Sequence, residues 1–386
     1  MNHRRPLLTP GSYTQWCRAV FHSAAGDPHA NLLFASTLQE PTLLLQRKVT
    51  EAFKLGVNPS YRSVFARGNL DTIDAIAARE LVDPDWIMCT TGGGSALAII
   101  FRAFLEPGSH AIVERPYFDL FGDLASSCGA ELSYWDREGP DFSFNIDRLV
   151  SLLRPETKLV ALTNLNNPTG AALSDKSLTE IAILAERTGI TIIVDEVYAD
   201  FIIDGSRVGA AARLSPAIVS VNSLSKVYGL FALRCGWIIA QQEARERIQN
   251  VYDRFEFGVS KVTHAIAAAV LKDMAPFEQH WQSILSATRP QMIKQASVLE
   301  TEGLLAGNVP KFGCMYFPKI LFSDDDLAVS RFLWENDSLA VAPGSYFGRP
   351  GHLRIGFGKE EAAVRDGLDR LRSGLLRYQA KRSIAS

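Results

Sequence analysis

One arrangement occurs three times between residues 158 and 226, in KLVALTNLNNPTG (158–170), TIIVDEVY (191–198) and AIVSVNSLSK (217–226). Each segment contains a nearly continuous apolar run and then changes abruptly to polar residues. Near-continuous apolar strands separated by helical patterns indicate a parallel sheet that is covered on both faces. Ligands of such sheets bind outside the carboxyl ends of the strands, which is where these polar residues fall. The segments therefore predict an α/β fold with a ligand site at one edge of its sheet.

The rest of the chain predicts how this sheet is framed. Helical patterns alternate with further strand candidates at residues 86–88, 111–113 and 236–240. Residues 1–45 carry four prolines and predict an irregular arm. From about residue 281 the pattern changes to two long helices separated by short strand candidates. We therefore predict an arm with part of a small domain at 1–45, a large domain at 46–280 and a small C-terminal domain at 281–386.

The composition argues against several classes of protein. Forty basic and forty-two acidic residues give a net charge of −2, which provides no field to attract nucleic acid or an anionic membrane. The apolar runs are far shorter than the ~20 residues of a membrane span, and no signal peptide is evident. The five cysteines are widely spaced without a CxxC motif, which argues against a disulfide framework or a zinc site. We expect a cytoplasmic protein without a metal, a nucleic-acid partner or a membrane partner.

A glycine-rich turn, TTGGGS at residues 90–95, opens a predicted helix. Glycines let backbone N–H groups approach an anion closely, and a helix N-terminus favours negative charge. Taken alone, the turn fits equally well a tight bend that needs a positive φ. A dinucleotide site is less favoured, because Leu97 stands where the GxGxxG pattern requires its third glycine.

Two other clusters carry reactive groups at the ends of predicted strands. Asp195 ends a buried strand, where a charge is costly unless it is paired, so a helix cap or a structural ion pair would also explain it. Ser223, Ser225 and Lys226 follow another strand, and Arg234 comes eight residues after the lysine. Alone, this group fits either ordinary surface or a phosphate site beside a reactive amine.

Together, the order and spacing of these motifs resemble the pyridoxal-phosphate-dependent aminotransferases of class I and II, which have the aspartate aminotransferase fold. The shared features are the NPTG of residues 167–170, Asp-x-x-Tyr at 195–198, Ser-x-Ser-Lys at 223–226, Arg234 and Arg354. The resemblance extends from about residue 35 to the end. It implies a large domain whose mostly parallel sheet, of the seven-stranded type, lies between helices, together with a smaller α+β domain. It also implies pyridoxal 5′-phosphate as the cofactor.

The resemblance assigns catalytic roles to three residues, Lys226, Asp195 and Tyr198. Lys226 would bind the cofactor as an imine and, once released by the substrate, act as the base on the Cα proton. Asp195 would pair with the pyridine nitrogen and keep it protonated, which makes the ring an electron sink. Tyr198 and Asn167 would hydrogen-bond the 3′-oxygen of the ring.

The remaining cofactor contacts also follow from the resemblance. Ser223, Arg234 and the N–H groups of Gly93 and Gly94 would hold the phosphate, for which the planar fork of an arginine is well suited. Phe118 would stack on the ring, although plain core packing is the alternative for this residue.

Substrate binding and assembly are implied by three further positions. Arg354 would clamp the α-carboxylate with Asn167 beside it, although a structural salt bridge is the alternative for this arginine. Gln39 stands where relatives have the glycine of Gly-Glu-Pro-Asp, so its side chain would reshape the substrate pocket. Tyr61 would reach the phosphate of a neighbouring subunit, which implies a homodimer with shared active sites.

The function implied is transfer of an α-amino group from an amino acid to a 2-oxo acid by a ping-pong mechanism. A carbon–sulfur lyase, or another α,β-elimination enzyme, is the alternative on the same scaffold. A non-catalytic, cofactor-binding regulatory module is less favoured. Such regulators carry an added DNA-binding segment, and residues 1–45 are short and interrupted by prolines.

Overall fold

The structure is a computed structural model that describes residues 11–54, 67–207 and 209–385. Its main feature is a seven-stranded sheet with the order β1-β7-β6-β5-β4-β2-β3. The strands are β1 (Ile87–Thr90), β2 (His110–Arg115), β3 (Glu131–Asp136), β4 (Thr157–Thr163), β5 (Thr191–Asp195), β6 (Ile218–Ser223) and β7 (Gly236–Ile239). Strand β7 runs antiparallel to both of its neighbours, whereas the other adjacent strands are parallel. The predicted α/β fold with a mostly parallel sheet is confirmed.

Helices surround this sheet and continue through the C-terminal third. They are α1 (Tyr13–Ala24), α2 (Thr42–Lys54), α3 (Leu70–Glu80), α4 (Gly93–Phe104), α5 (Leu120–Ser127), α6 (Ile146–Val150), α7 (Asp175–Thr188), α8 (Gln242–Phe255), α9 (Lys261–Leu271), α10 (Ala275–Thr301), α11 (Asp326–Asp337) and α12 (Glu361–Ala385). Within the described ranges, no helix combines the length and apolar character needed to cross a membrane.

The two faces of the sheet bury different cores, because successive side chains of a strand point in opposite directions. On β4, Leu159 and Ala161 belong to the core shared with α4, α5 and α8. Val160 and Leu162 belong to the core shared with α6 and α7. Burial on both faces explains why the central strands are apolar throughout.

The C-terminal third forms two small sheets beside the large one. One sheet pairs β10 (Lys319–Ile320) with β8 (Leu305–Ala306), and the other has the order β11-β12-β9, with β9 (Met315–Tyr316), β11 (Ala342–Pro343) and β12 (Leu353–Gly356). The N-terminal arm joins this part, because Asn31 bridges Leu339 and the N–H of Gly356 donates to the carbonyl of Leu33. The exact domain boundaries stay a prediction.

The expectation of an irregular arm is wrong for residues Tyr13–Ala24, which form α1. Ser12 caps this helix by accepting a hydrogen bond from the N–H of Gln15. The prolines of the arm do not prevent it, because Pro10 precedes the helix and Pro28 follows it. Helix α1 packs in an aromatic cluster with Phe34, Trp334 and Phe347.

Candidate active site

The polar segments predicted to meet at the sheet edge do meet there. Asp195, the last residue of β5, pairs with Thr163 at the end of β4 on one side and with Val221 of β6 on the other. The turn after β4 carries Asn167, and the turn after β6 carries Lys226. The parallel register therefore gathers groups that lie about 30 residues apart in sequence.

Asp195 is buried, with 3% of its surface exposed. Its carboxylate accepts a hydrogen bond from the N–H of Val197 at 3.2 Å. Burial raises the pKa of Asp195 to about 7, opposed by the Val197 bond and the charge of Lys226. The described part of the chain contains no ion pair of Asp195, so the alternative of a structural ion pair finds no support. A buried carboxylate in this state favours a cationic partner.

Lys226 lies in the turn after β6, and its carbonyl oxygen accepts a hydrogen bond from the N–H of Leu38 at 3.1 Å. Burial lowers the pKa of Lys226 to about 8. The charge of Arg354 acts in the same direction, whereas that of Asp195 opposes it. Much of the amine is therefore neutral at mildly alkaline pH, which is the form that attacks carbonyl carbons.

An anion-binding arrangement lies at the start of α4. Gly92 precedes the helix with a φ of 85°, and a Cβ on this residue would lie 2.7 Å from a guanidinium nitrogen of Arg234. Gly236 of β7 pairs with Thr90 on one side and with Ser223 on the other. A Cβ on Gly236 would lie 2.5 Å from the carbonyl carbon of Gly92, so both glycines are required by close packing.

This packing brings the predicted phosphate contacts together. Gly93 and Gly94 form the first turn of α4, where backbone N–H groups lack helical partners. Arg234 lies against that turn, and the buried Ser223 is paired with Gly236 of β7. These groups supply N–H donors, a hydroxyl and a cation around one position, as an oxyanion requires.

Sequence reasoning missed Glu256, which follows α8 and lies at the same helix start. Its buried carboxylate accepts hydrogen bonds from the N–H and hydroxyl of Thr91, at 3.2 and 2.5 Å, and from the hydroxyl of Ser95. Glutamate 256 is separated from these partners by more than 160 residues, so no local motif signals the contact.

Tyr198 and Asn167 also lie at this edge of the sheet. The Tyr198 hydroxyl is 2.8 Å from that of Ser36, and burial raises the pKa of the phenol. The side-chain amide oxygen of Asn167 accepts a hydrogen bond of 2.8 Å from Arg354, and the backbone N–H of Asn167 donates to the hydroxyl of Thr163. Both side chains therefore link the large sheet to the small C-terminal sheets and the N-terminal arm.

Arg354, on β12, is 1% exposed and forms no ion pair within the described residues, so the predicted alternative of a salt bridge finds no support. Its guanidinium donates to Asn167, to the hydroxyl of Tyr13 and to the carbonyl of Phe34. The rings of Tyr13 and Phe347 lie 4.8 and 4.7 Å from the guanidinium carbon. A desolvated guanidinium held by neutral groups is available to an anionic ligand. Tyr13 was not predicted, because nothing local in its sequence signals this contact.

Three predicted site residues need separate comment. Phe118 is half-buried and packs edge-on against Phe121, with ring centroids 6.2 Å apart. Gln39 is exposed, and its side chain exchanges two hydrogen bonds with Glu360. That the Gln39 side chain reshapes the substrate pocket stays a prediction. Tyr61 lies outside the described residues.

Comparison with known proteins agrees with this geometry. The sequence profile of the family described as Aminotransferase class I and II matches residues 57–371. Capreomycidine synthase of Streptomyces vinaceus is 27% identical over 296 residues, covering 76% of each chain. Histidinol-phosphate aminotransferase 1 of Dechloromonas aromatica (strain RCB) is 26% identical over 365 residues, covering 91% of this chain and 95% of the relative.

The solved structures agree with the fold. A PLP-dependent aminotransferase from Streptococcus suis 89-1591 superposes with a TM-score of 0.82 at 24% identity, covering 93% of this chain and 97% of the other. The profile match includes most of the chain, and with it Asp195, Lys226 and Arg354. The chain therefore belongs to the class I and II aminotransferases, a family of pyridoxal-phosphate-dependent enzymes.

Proposed function

We propose that this aminotransferase moves the α-amino group of an amino acid to a 2-oxo acid in two half-reactions, with Lys226 as the amine that binds the cofactor. One observation carries the proposal. A buried carboxylate without an ion pair, a lysine of lowered pKa and a desolvated arginine converge at one edge of the sheet within the described residues. Each has the charge and burial that its assigned partner requires.

The described residues fit pyridoxal 5′-phosphate at both ends. At the phosphate end, Gly93, Gly94, Ser223 and Arg234 offer donors around the start of α4. At the ring end, Asp195 provides a buried acceptor, for which a protonated pyridine nitrogen is a matching partner. When bound, the cofactor supplies an electron-withdrawing ring that stabilises the negative charge left at the substrate Cα.

Buried polar atoms near the phosphate end give independent support. The side-chain amide nitrogen of Asn222 and the hydroxyl of Ser225 are both buried without a hydrogen-bond partner in the described residues. Unpaired buried polar atoms are costly, and a phosphorylated ligand beside Ser223 would offer acceptors to such groups. These unpaired atoms therefore favour a ligand that bears several oxygens.

Three side chains would surround the ring itself. Tyr198 and Asn167 carry the hydroxyl and amide that would hydrogen-bond the 3′-oxygen. Phe118 is half-buried, which leaves part of its ring accessible for stacking. These contacts would fix the plane of the ring relative to Lys226.

Lys226 would act as the general base for the proton on the substrate Cα. Burial and the charge of Arg354 lower the pKa of its amine to about 8, so removal and return of a proton by the same nitrogen is feasible near neutral pH. The neutral amine would accept the proton from the substrate Cα and hold it on Nζ for the return transfer. Asp195, opposite in charge, would stay ionised when its cationic partner is present.

Arg354 would bind the α-carboxylate of each substrate. Its guanidinium is buried between two aromatic rings and bonded to Asn167 rather than to a carboxylate. In a desolvated site, a planar fork binds a carboxylate with geometric precision. This contact would orient the Cα–H bond towards Lys226.

We also propose a homodimer with shared active sites. Phe231 and Phe255 are 55% and 63% exposed, and their rings lie beneath the guanidinium groups of Arg234 and Arg102. Large exposed aromatic rings mark interaction surfaces, and Phe231 lies beside a proposed phosphate contact. Tyr61 would extend into the partner's site.

We also propose a cytoplasmic location, which the five unpaired cysteines of the chain support.

A half-reaction screen tests the proposed function. Purified holoenzyme is mixed with single amino acids, and the visible absorbance of the bound cofactor is followed together with the released products. We expect at least one amino acid to convert the cofactor to its amine form with release of one equivalent of 2-oxo acid, and a second 2-oxo acid to restore it. Release of pyruvate and ammonia without conversion would instead identify an elimination enzyme. Absence of any reaction together with binding of labelled DNA would identify a regulator.

A further inference from the structure

The hydrogen bonds of Arg354 leave little room for a carboxylate at its outer nitrogens. A guanidinium carries five N–H donors in a fixed fork. The Nη2 group of Arg354 donates to the hydroxyl of Tyr13 and to the carbonyl of Phe34, the latter at 3.1 Å. The Nη1 group donates to Asn167 at 2.8 Å, whereas the buried Nε has no partner within the described residues.

Bidentate binding requires one of the Nη2 hydrogens. A carboxylate meets a guanidinium along the edge formed by Nη1 and Nη2 or along the edge formed by Nε and Nη2, and both include Nη2. Both hydrogens of this nitrogen are already used in Arg354. One of the two acceptors must therefore yield when a carboxylate binds.

The acceptor that can yield is the Tyr13 hydroxyl. The Phe34 carbonyl belongs to the backbone next to Leu33, which is itself bonded to Gly356 of β12. The Tyr13 hydroxyl stands at the end of a side chain, and a small rotation about χ1 shifts it. The hydroxyl can therefore move without displacing a backbone segment that is bonded to β12.

The backbone of Tyr13 is nevertheless fixed close to the site. Its N–H donates to the carboxylate of Asp119 at 3.0 Å, and its ring stacks on Trp16 at 5.9 Å between centroids. Cys17, one turn further along α1, lies on the same helix face. Burial raises the pKa of the Cys17 thiol, and the charges of Arg354 and Lys226 lower it, as expected for a residue facing the active site.

The Tyr13 phenol also keeps its proton. Burial raises the pKa of this phenol well above its usual value, despite the opposing charge of Arg354. A neutral phenol beside a bound carboxylate can donate a charge-assisted hydrogen bond, which is stronger than a bond between neutral groups. The same hydroxyl can therefore accept from Arg354 before binding and donate to the carboxylate afterwards.

We infer that Tyr13 is a substrate-binding residue that holds the α-carboxylate together with Arg354. The carboxylate takes the place of the hydroxyl at Nη2, and the displaced hydroxyl donates its hydrogen to a carboxylate oxygen. The first residue of helix α1 thereby contacts the carboxylate directly. This inference rests on the proposed function, in which Arg354 is the carboxylate site.

Calorimetric titration of the holoenzyme with pyruvate tests the inference. Pyruvate is a small 2-oxo acid that carries the carboxylate with only a methyl group as its side chain. The variants are Tyr13→Phe, which keeps the ring, Arg354→Gln, and Tyr346→Phe as the matched control. The control removes a hydroxyl from the same aromatic cluster and leaves the bonding partners of Arg354 in place.

We expect Tyr13→Phe to weaken pyruvate binding about tenfold, the loss typical of a hydrogen bond to a charged group. Steady-state assays with the amino acid found in the half-reaction screen should show a raised KM with little change in kcat. Tyr346→Phe should bind pyruvate like the unmodified enzyme. If Tyr13→Phe does not fold, Tyr13→Met should give the same loss, since it also lacks the hydroxyl.

The outcomes separate the inference from the proposed function. Unchanged pyruvate affinity in Tyr13→Phe, together with a large loss in Arg354→Gln, overturns the role of Tyr13 and leaves the carboxylate site intact. An equal loss in Tyr346→Phe also overturns it, because the effect then belongs to the cluster as a whole. Unchanged affinity in Arg354→Gln, or no binding by the unmodified enzyme, contradicts the carboxylate site on which the proposed function depends.

Discussion

Arg354 and Asn167 lie 187 residues apart in the chain, yet Nη1 of Arg354 donates a hydrogen bond of 2.8 Å to the amide oxygen of Asn167. This bond joins β12 of a small sheet to the turn after β4 of the large sheet. It places the proposed carboxylate contact beside the proposed ring contact. The proposed active site therefore draws on both parts of the chain.

Replacing Asp195 with asparagine should separate stability from cofactor binding. Burial raises the pKa of Asp195 to about 7, so the folded apoprotein binds this proton more tightly than the unfolded chain does. The stability that depends on this group is therefore present at low pH and is lost as the pH rises through about 7. Asp195→Asn has no such dependence and should raise the melting temperature of the apoprotein at pH 8.

The same substitution should weaken cofactor binding and slow proton removal from the substrate, because a neutral amide does not hold the ring nitrogen protonated. Thermal melts of the apoprotein between pH 5 and pH 8, with cofactor titrations in parallel, provide the measurement. An asparagine variant with unchanged cofactor affinity and turnover would refute the role of Asp195.

Replacing Arg234 with lysine should weaken cofactor binding while keeping the positive charge. The guanidinium lies against Gly92. A planar guanidinium can form two parallel bonds to an oxyanion, whereas an ammonium is a point charge. We expect a loss of about tenfold or more in affinity for pyridoxal 5′-phosphate and a smaller change for pyridoxal, which lacks the phosphate. Arg154→Lys, an exposed arginine paired with Glu131, serves as the control. Equal losses for both ligands would place Arg234 elsewhere than at the phosphate.

Replacing Glu256 with glutamine should strengthen phosphate binding. Its carboxylate accepts hydrogen bonds from Thr91 and Ser95 at the start of α4, so it places a negative charge where the phosphate is proposed to bind. Glutamine can retain these bonds through its carbonyl oxygen without the charge. We expect a gain of about threefold to tenfold in cofactor affinity, more at low salt than at high salt. Glu246→Gln, on the exposed side of α8, controls for net charge. A weaker affinity in the Glu256 variant alone would show that the charge supports the loop rather than opposing the ligand.

The α/β class, most of the strands and the polar residues at their ends could be predicted from the sequence, because these arise from local patterns. The order of the strands in the sheet could not, because it depends on contacts between distant segments. An apolar run ending in Asp195 or Ser223 is visible in a few consecutive residues. Strand β3 escaped prediction since it lies at the sheet edge, where residues Glu131–Asp136 are mostly only partly buried and show no continuous apolar run.

Contacts between distant segments could not be predicted in the same way. Tyr13 reaches Arg354 across 341 residues, and nothing near either residue encodes the meeting. The pairing of Gln39 with Glu360 is another such contact, since 321 residues separate the two side chains and no local motif signals it. Helix α1 was not predicted because the prolines were counted over the whole arm, although none of them lies within the helix.

Among the residues that the structure describes, burial lowers the pKa of two lysines to about 8, and one of the two lies in the proposed site. The charge of Arg354 helps to lower the pKa of Lys226, whereas Lys359 is held by a hydrogen bond of 2.6 Å to the carbonyl of Leu32. A lowered pKa alone therefore does not identify the amine that binds the cofactor. The surroundings do, because the charges of Arg354, Asp195 and Arg234 act on Lys226, whereas burial alone lowers the pKa of Lys359.

The most direct test of that claim is borohydride reduction of the holoenzyme followed by peptide mapping. We predict that the reduced cofactor is attached to the peptide containing Lys226, and that Lys226→Ala abolishes both the attachment and turnover while Lys359→Ala retains the attachment. Attachment to Lys359 or to any lysine other than Lys226, or no attachment in a preparation that binds the cofactor, would contradict the account.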